Sequence, residues 1–160
     1  MDVAHRLAAR VGNHLKERRL LLATAESCTG GWVAQVVTAI PGSSAWFERG
    51  FVTYSDASKE EMLGVRGDTL ALHGAVSEEV VREMAEGALR HSHAKVSVAI
   101  TGVAGPDGGS PRKPVGTVWL AWAVAGRETR CRAAHYAGDR EMIRQQAVMA
   151  ALQGIIDAVD

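Results

Sequence analysis

At 160 residues the chain is long enough to bury one sizeable core and too short for two full ones, so residues 1–160 are expected to form a single domain. Lysine plus arginine and aspartate plus glutamate number 18 each, which supplies no net positive field for nucleic acid or an anionic membrane and makes a small-molecule partner the better expectation. The apolar runs are strand-sized, well short of the roughly 20 residues that span a bilayer, and the N-terminus, with Asp2, His5, Arg6 and Arg10, lacks the apolar stretch of a signal peptide, so a cytoplasmic location is expected.

Val3, Leu7, Ala8, Val11 and Leu15 recur at helical spacing behind Asp2, a residue able to cap, and predict an amphipathic helix. Residues 20–25 are an unbroken apolar run of strand length, the pattern of a central strand covered on both faces. A glycine-rich turn follows, and Trp32, Val33, Val36, Val37 and Ile40 then show helical periodicity up to Pro41-Gly42. Residues 45–54 are aromatic and β-branched and predict one or two strands, broken near Gly50. A short helix over 56–63 is capped at Ser55 or Asp56 and stopped by Gly64, and Ser77 opens another whose buried stripe is Val80, Val81, Met84, Ala88 and Leu89.

Residues 96–101 form a second buried-type strand, and residues 115–124 and 129–136 predict a hairpin turning at Gly126-Arg127, which makes the sheet mixed. Asp139 caps a long final helix in which Met142, Met149, Leu152, Ile156 and Val159 repeat close to a heptad. Packing on the domain's own sheet is favoured for that stripe, while a subunit contact keeps a homo-oligomer open. The stretch 105–114 is the one segment with the composition of a mobile loop. The fold class is therefore α/β.

Three polar, glycine-rich segments follow predicted strands, where α/β proteins build their sites. In Glu26-Ser27-Cys28-Thr29-Gly30-Gly31 a serine sits at a strand-to-helix turn, beside amides able to hold an oxyanion or a phosphate; helix capping by Ser27 or Thr29 is the competing explanation. In Tyr54-Ser55-Asp56-Ala57-Ser58-Lys59 a catalytic lysine would need burial or cationic neighbours to bring its pKa down from about 10.4, and spacing alone favours a solvated helix residue. The third segment, Thr101-Gly102-Val103-Ala104-Gly105-Pro106 with Lys113-Pro114-Val115-Gly116-Thr117, offers backbone amides and a lysine to a phosphate but matches neither G-x-x-x-x-G-K-[ST] nor G-x-G-x-x-G.

Other groups are weaker. Cys28 and Cys131 have no CxxC spacing and are expected to be free thiols, although Cys28 with His73 or His135 has the chemistry of a nucleophile pair. His91-Ser92-His93 lacks a third ligand at metal-site spacing, so no metal is expected.

Taken together, the chain closely resembles the C-terminal domain family of competence-damage-inducible proteins (CinA). The resemblance is carried by Ala25-Glu26-Ser27-Cys28-Thr29-Gly30-Gly31, Ile40-Pro41-Gly42-Ser43-Ser44, Gly50-Phe51-Val52-Thr53-Tyr54-Ser55, Lys59, His73-Gly74-Ala75-Val76-Ser77, Thr101-Gly102-Val103-Ala104-Gly105-Pro106 and Lys113-Pro114-Val115-Gly116, which in order span most of the chain. It implies a three-layer α/β/α sandwich around a mixed sheet, in a stand-alone form of the domain. It further implies deamidation of nicotinamide mononucleotide to nicotinate mononucleotide and ammonia, with Ser27 as nucleophile, Lys59 and Tyr54 in proton transfer, and no metal or organic cofactor. Substrate-binding candidates are Thr29, Gly30, Gly31, Thr101, Gly102, Ala104, Gly105, Lys113 and Arg140. For Arg140, at the start of the last helix, a surface ion pair is the alternative. A non-catalytic nucleotide-binding or regulatory module of the same fold is the rival function, and Cys28-based acyl transfer a second. The biological route stays open between recycling of pyridine nucleotides and disposal of a ligation by-product.

Overall fold

Alternation of large and small side chains along the strands decides how the layers stack. A computed structural model describes residues 2–160. The chain runs α1 (Val3–Arg18), β1 (Leu22–Glu26), α2 (Trp32–Thr38), a 3₁₀ turn (Ser43–Ala45), β2 (Phe47–Val52), α3 (Asp56–Leu63), α4 (Gly67–His73), α5 (Glu78–Arg90), β3 (Val96–Gly102), β4 (Thr117–Val124), β5 (Arg130–His135) and α6 (Arg140–Val159). The strands form one mixed sheet of order β2-β1-β3-β4-β5. Within it β1 pairs in parallel with β2 and β3, and β4 runs antiparallel to β3 and β5.

One face of this sheet presents Leu22, Val96, Val98, Ile100, Val118, Leu120 and Trp122 to α1, α2 and α6. The other presents mainly small side chains from the three central strands, Ala23, Ala25, Ser97, Ala99, Ala121 and Ala123, with Trp119 toward one end, and packs on α3, α4 and α5. Short side chains let α5 sit close, and Ser97 Oγ donates to Ala85 O at 2.7 Å across that contact. The result is the α/β/α sandwich with both faces of β1 covered: all five of its residues are buried.

Asp2 caps α1 through His5 N, Ser55 caps α3 in a capping box with Ser58, Ser77 caps α5 and Asp139 caps α6. Two expectations are corrected and one element is added. Strand β2 runs unbroken through Gly50, where the glycine serves close approach: a Cβ there would stand 2.7 Å from Thr24 Oγ1 on β1. Helix α4, in a segment for which the sequence pattern supplied no assignment, lies between α3 and α5 along the chain. On α6 the expected Leu152, Ile156 and Val159 are buried in the domain's own core, whereas Met142 is half exposed and Ile143, Ala147, Val148, Ala151 and Ile155 complete the buried face. Small residues on this face permit close approach, and Gly154 lies directly against the Trp122 indole.

Candidate active site

Parallel pairing brings the C-terminal ends of β1, β2 and β3 to one edge, the place where open α/β sheets leave a crevice. The chain stitches that edge together: Thr53 N donates to Glu26 O at 2.8 Å, and Ser27 N donates to Ile100 O at 3.0 Å. Beyond β1 the turn through Ser27 reverses into α2 using Gly30 and Gly31 at φ +59° and +99°, a conformation that costs glycine little. Beyond β2, Thr53 turns inward and is buried, Tyr54 points out, and the Ser55 cap starts α3 so that Lys59 faces back into the crevice.

Lys59 is 1% exposed and 32 positions from Ser27 in sequence, yet its Nζ donates to Ser27 Oγ at 3.1 Å. It also donates to Thr53 O at 2.8 Å and, more weakly, to Tyr54 O at 3.4 Å. Burial pushes the Lys59 pKa below its ordinary value, opposed by the Asp56 carboxylate and, less, by Cys28. A lysine so placed satisfies the condition set by the sequence argument for base chemistry: it is desolvated, and its polar contacts are neutral oxygens.

Ser27, Tyr54 and Lys59 line a cavity of about 320 Å³ together with Thr101, Gly102, Ala104, Gly105 and Arg140. The Arg140 guanidinium donates to Gly105 O at 2.8 Å and to the Tyr54 hydroxyl at 3.2 Å, bridging the two rims. Tyr54 is therefore placed differently from the expected proton relay: its side chain is 63% exposed and its hydroxyl meets Arg140, while only its carbonyl reaches Lys59. Thr101 Oγ1 donates to Ala75 O at 3.0 Å and fixes the segment carrying Ala75 and Val76 over the same cavity.

Four of the expected substrate contacts lie elsewhere. Thr29 is buried and its hydroxyl donates to Glu26 at 2.6 Å, so it faces the protein. Gly30 and Gly31 shape the turn and are absent from the cavity wall, packing toward Arg144 and Val52 respectively. Lys113 donates to His73 O at 2.7 Å and lines a separate cleft of about 660 Å³ with Arg112, Trp119 and His135. His73 and His135 are in that second cleft too, whereas Cys28 lines the cavity of Ser27. Burial moreover pushes the Cys28 thiol up to about 11, leaving little thiolate at neutral pH.

Two residues not singled out in the sequence hold the Ser27 turn. Arg144 on α6 donates to Cys28 O at 3.0 Å and Thr29 O at 3.1 Å while lying over the Trp32 ring, 5.3 Å from its centroid. Glu26, fully buried, accepts from Thr29 Oγ1, Val33 N and Ala34 N. Ser-cap and glycine signals were visible locally, but Arg144 reaches across 116 positions of sequence, which no local pattern reports.

The chain is 60% identical over 147 residues to nicotinamide-nucleotide amidohydrolase PncC of Escherichia coli strain K12, covering 92% of this chain and 89% of that one. It is 53% identical over 156 residues to the PncC of Pseudomonas putida, covering 98% and 97%. The crystal structure of the competence/damage inducible protein CihA from Agrobacterium tumefaciens superposes with a TM-score of 0.96 at 43% identity, over 99% of this chain and 96% of that one. The family model described as the CinA C-terminal domain matches residues 4–159, and the chain belongs to that family.

Proposed function

We infer that the protein is a nicotinamide-nucleotide amidohydrolase, converting nicotinamide mononucleotide to nicotinate mononucleotide with release of ammonia, through Ser27 as nucleophile and Lys59 as its base. The observation that carries this reading is the buried Lys59 amine 3.1 Å from Ser27 Oγ. The identity to proteins named for this activity supports the substrate class.

A neutral Lys59 has two N–H groups and one lone pair. With the N–H groups held by the carbonyls of Thr53 and Tyr54, the lone pair is left for the Ser27 hydroxyl, which then donates to the amine. As Oγ attacks the carboxamide carbon, its proton passes to Lys59 and charge develops on the amide oxygen. Among the described residues neither the Cys28 nor the Thr29 amide donates to another residue, the Cys28 N–H meeting only its own thiol, and they are the donors offered to that oxygen. One such donor is typically worth about 10²-fold or more in rate. Lys59 returns the proton to the departing nitrogen, giving ammonia and an acyl-Ser27 ester. Water, deprotonated by the same amine, then hydrolyses the ester and regenerates the hydroxyl.

Arg140, with two of its five N–H donors used on Gly105 O and Tyr54 Oη, offers the rest to the substrate phosphate beside the amides of residues 104 and 105. Tyr54 serves by holding Arg140 and by orienting Lys59 through its carbonyl. The test is ammonia release from nicotinamide mononucleotide by wild type, Ser27→Ala and Lys59→Ala. Turnover by wild type and its loss in both variants is expected. No turnover by folded wild type would instead fit a binding module.

A further inference from the structure

We propose that Glu26 is a positioning residue for the oxyanion hole, its carboxylate taking up the donors that open α2 so that the Cys28 and Thr29 amides are left for substrate. The proposal rests on the reading of Ser27 as nucleophile. Helix α2 lacks a cap of its own: its N-cap position is Gly31, which has no side chain to accept from the first turn. Glu26 supplies the missing acceptor from outside the helix. Oε1 accepts from Val33 N at 2.9 Å and Thr29 Oγ1 at 2.6 Å, and Oε2 accepts from Ala34 N at 3.1 Å.

The carboxylate is 0% exposed and sits at the positive end of α2, where three donors and the helix dipole hold its charge in place of a cation. The position has a consequence for Ser27, the next residue. An anion this close to a developing oxyanion would oppose it unless its charge were drawn elsewhere, and the three donors do that. The Thr29 hydroxyl also ties the middle of the turn to the strand end that precedes it.

Peptide planarity carries the effect to the amides. In a trans peptide C=O and N–H point in opposite directions. Arg144 draws the Cys28 carbonyl to one side, so Thr29 N–H points to the other. Gly30 N donates to Ser27 O at 3.0 Å, which likewise turns Cys28 N–H away. Glu26 fixes the same turn from the inside, so that both unspent N–H groups keep one orientation.

The test measures kcat and KM for deamidation of nicotinamide mononucleotide, together with the affinity of the 3-formylpyridine mononucleotide, whose aldehyde adds Ser27 Oγ to give a tetrahedral hemiacetal. Glu26→Gln keeps the size and the Oε1 bonds but opposes an NH₂ group to Ala34 N–H. Thr29→Val removes only the hydroxyl link, and Thr29→Ser restores it. Glu26→Gln is expected to lower kcat by about 10²-fold with KM changed less than about threefold, to weaken the aldehyde by a matching factor, and to leave the acid limb of the pH profile where it is. Thr29→Val should follow in the same direction and Thr29→Ser should recover. A kcat and aldehyde affinity within about threefold of wild type for Glu26→Gln, or for Thr29→Val if Glu26→Gln does not fold, would overturn the proposal alone. Absence of wild-type turnover would instead overturn the nucleophile reading, and this proposal with it.

Discussion

Replacing Lys59 by Met removes the amine from the Ser27 contact while keeping an unbranched side chain of similar volume in a site that is 1% exposed. Loss of a positioned general base costs about 10²–10⁴-fold in rate, and kcat should fall by that factor. If Ser27 and Lys59 act as the proposed unit, the double variant Ser27→Ala/Lys59→Met should be no slower than the slower single variant. Stability provides a second, independent reading. Thr53 O loses its donor, at about 1–3 kcal/mol for a buried unpaired group, and the cost of desolvating the amine disappears.

These two effects separate with pH. Burial lowers the Lys59 pKa in the folded protein, whereas the unfolded chain titrates near its ordinary value of about 10.4. Between those values the unfolded state holds the proton and the folded state has released it, so the Lys59 contribution to stability grows as pH rises through the window. It is fully present above about 10.4 and lost as pH falls through the lowered folded value. Urea unfolding of wild type and Lys59→Met across this range, beside ammonia-release kinetics, measures both. A variant with kcat within about threefold of wild type, or a stability difference that stays flat across the window, would refute the reasoning.

The Asp56 carboxylate opposes the lowering of the Lys59 pKa, so Asp56→Asn should move the acid limb of the rate profile to lower pH, with the plateau rate little changed. Arg140→Ala should raise KM by roughly tenfold or more, the scale of a hydrogen bond to a charged group of about 1.5–3 kcal/mol; Lys113→Ala, in the neighbouring cleft, should leave KM for the same substrate within about twofold. Cys28→Ala should retain turnover, because the thiol is held protonated up to about 11, and iodoacetamide should not abolish wild-type activity. Gly154→Ala drives a methyl into the Trp122 indole, itself anchored by Nε1 donating to Ala151 O at 3.0 Å; a loss of about 1–3 kcal/mol in urea unfolding is expected, with KM unchanged.

Legibility in the sequence tracked the range of the interaction. Ser55, Ser77 and Asp139 announced their helices because a cap is a bond over three residues, and the strand-turn-helix at Ser27 was readable for the same reason. Gly50 misled because a glycine that breaks a strand and one that lets Thr24 of the next strand approach look alike along the chain. The α6 stripe was legible at Leu152, Ile156 and Val159 and misled at Met142, since a strict seven-residue repeat drifts by about 20° per heptad around a straight helix. At the site, the family resemblance implied the Ser27 and Lys59 pair, but whether Thr53 or Tyr54 turns inward depends on how the chain leaves β2. The structure turns Thr53 in, which gives Lys59 its nearest carbonyl and sends the tyrosine hydroxyl to Arg140.

The parallel pairing of β1 with β2 makes a serine and lysine pair possible from segments so far apart. Parallel neighbours end at the same edge, so the turn after Glu26 and the turn after Val52 emerge side by side. An antiparallel β2 would carry Lys59 to the opposite end of the sheet. From that shared edge only three residues separate Val52 from Asp56, and the Ser55 cap then fixes the rotation of α3. Since a helix turns about 100° per residue, this cap decides whether Lys59 faces Ser27 or solvent. The same edge receives Thr53 N on Glu26 O and Ser27 N on Ile100 O, so the nucleophile and the strand end leading to its base are joined by backbone hydrogen bonds as well as by the amine. Burial at this junction lowers the amine's pKa, the direction the proposed base requires. The segments leaving β1 and β2 close on Lys59, giving it the Ser27 hydroxyl and the Thr53 and Tyr54 carbonyls to hold.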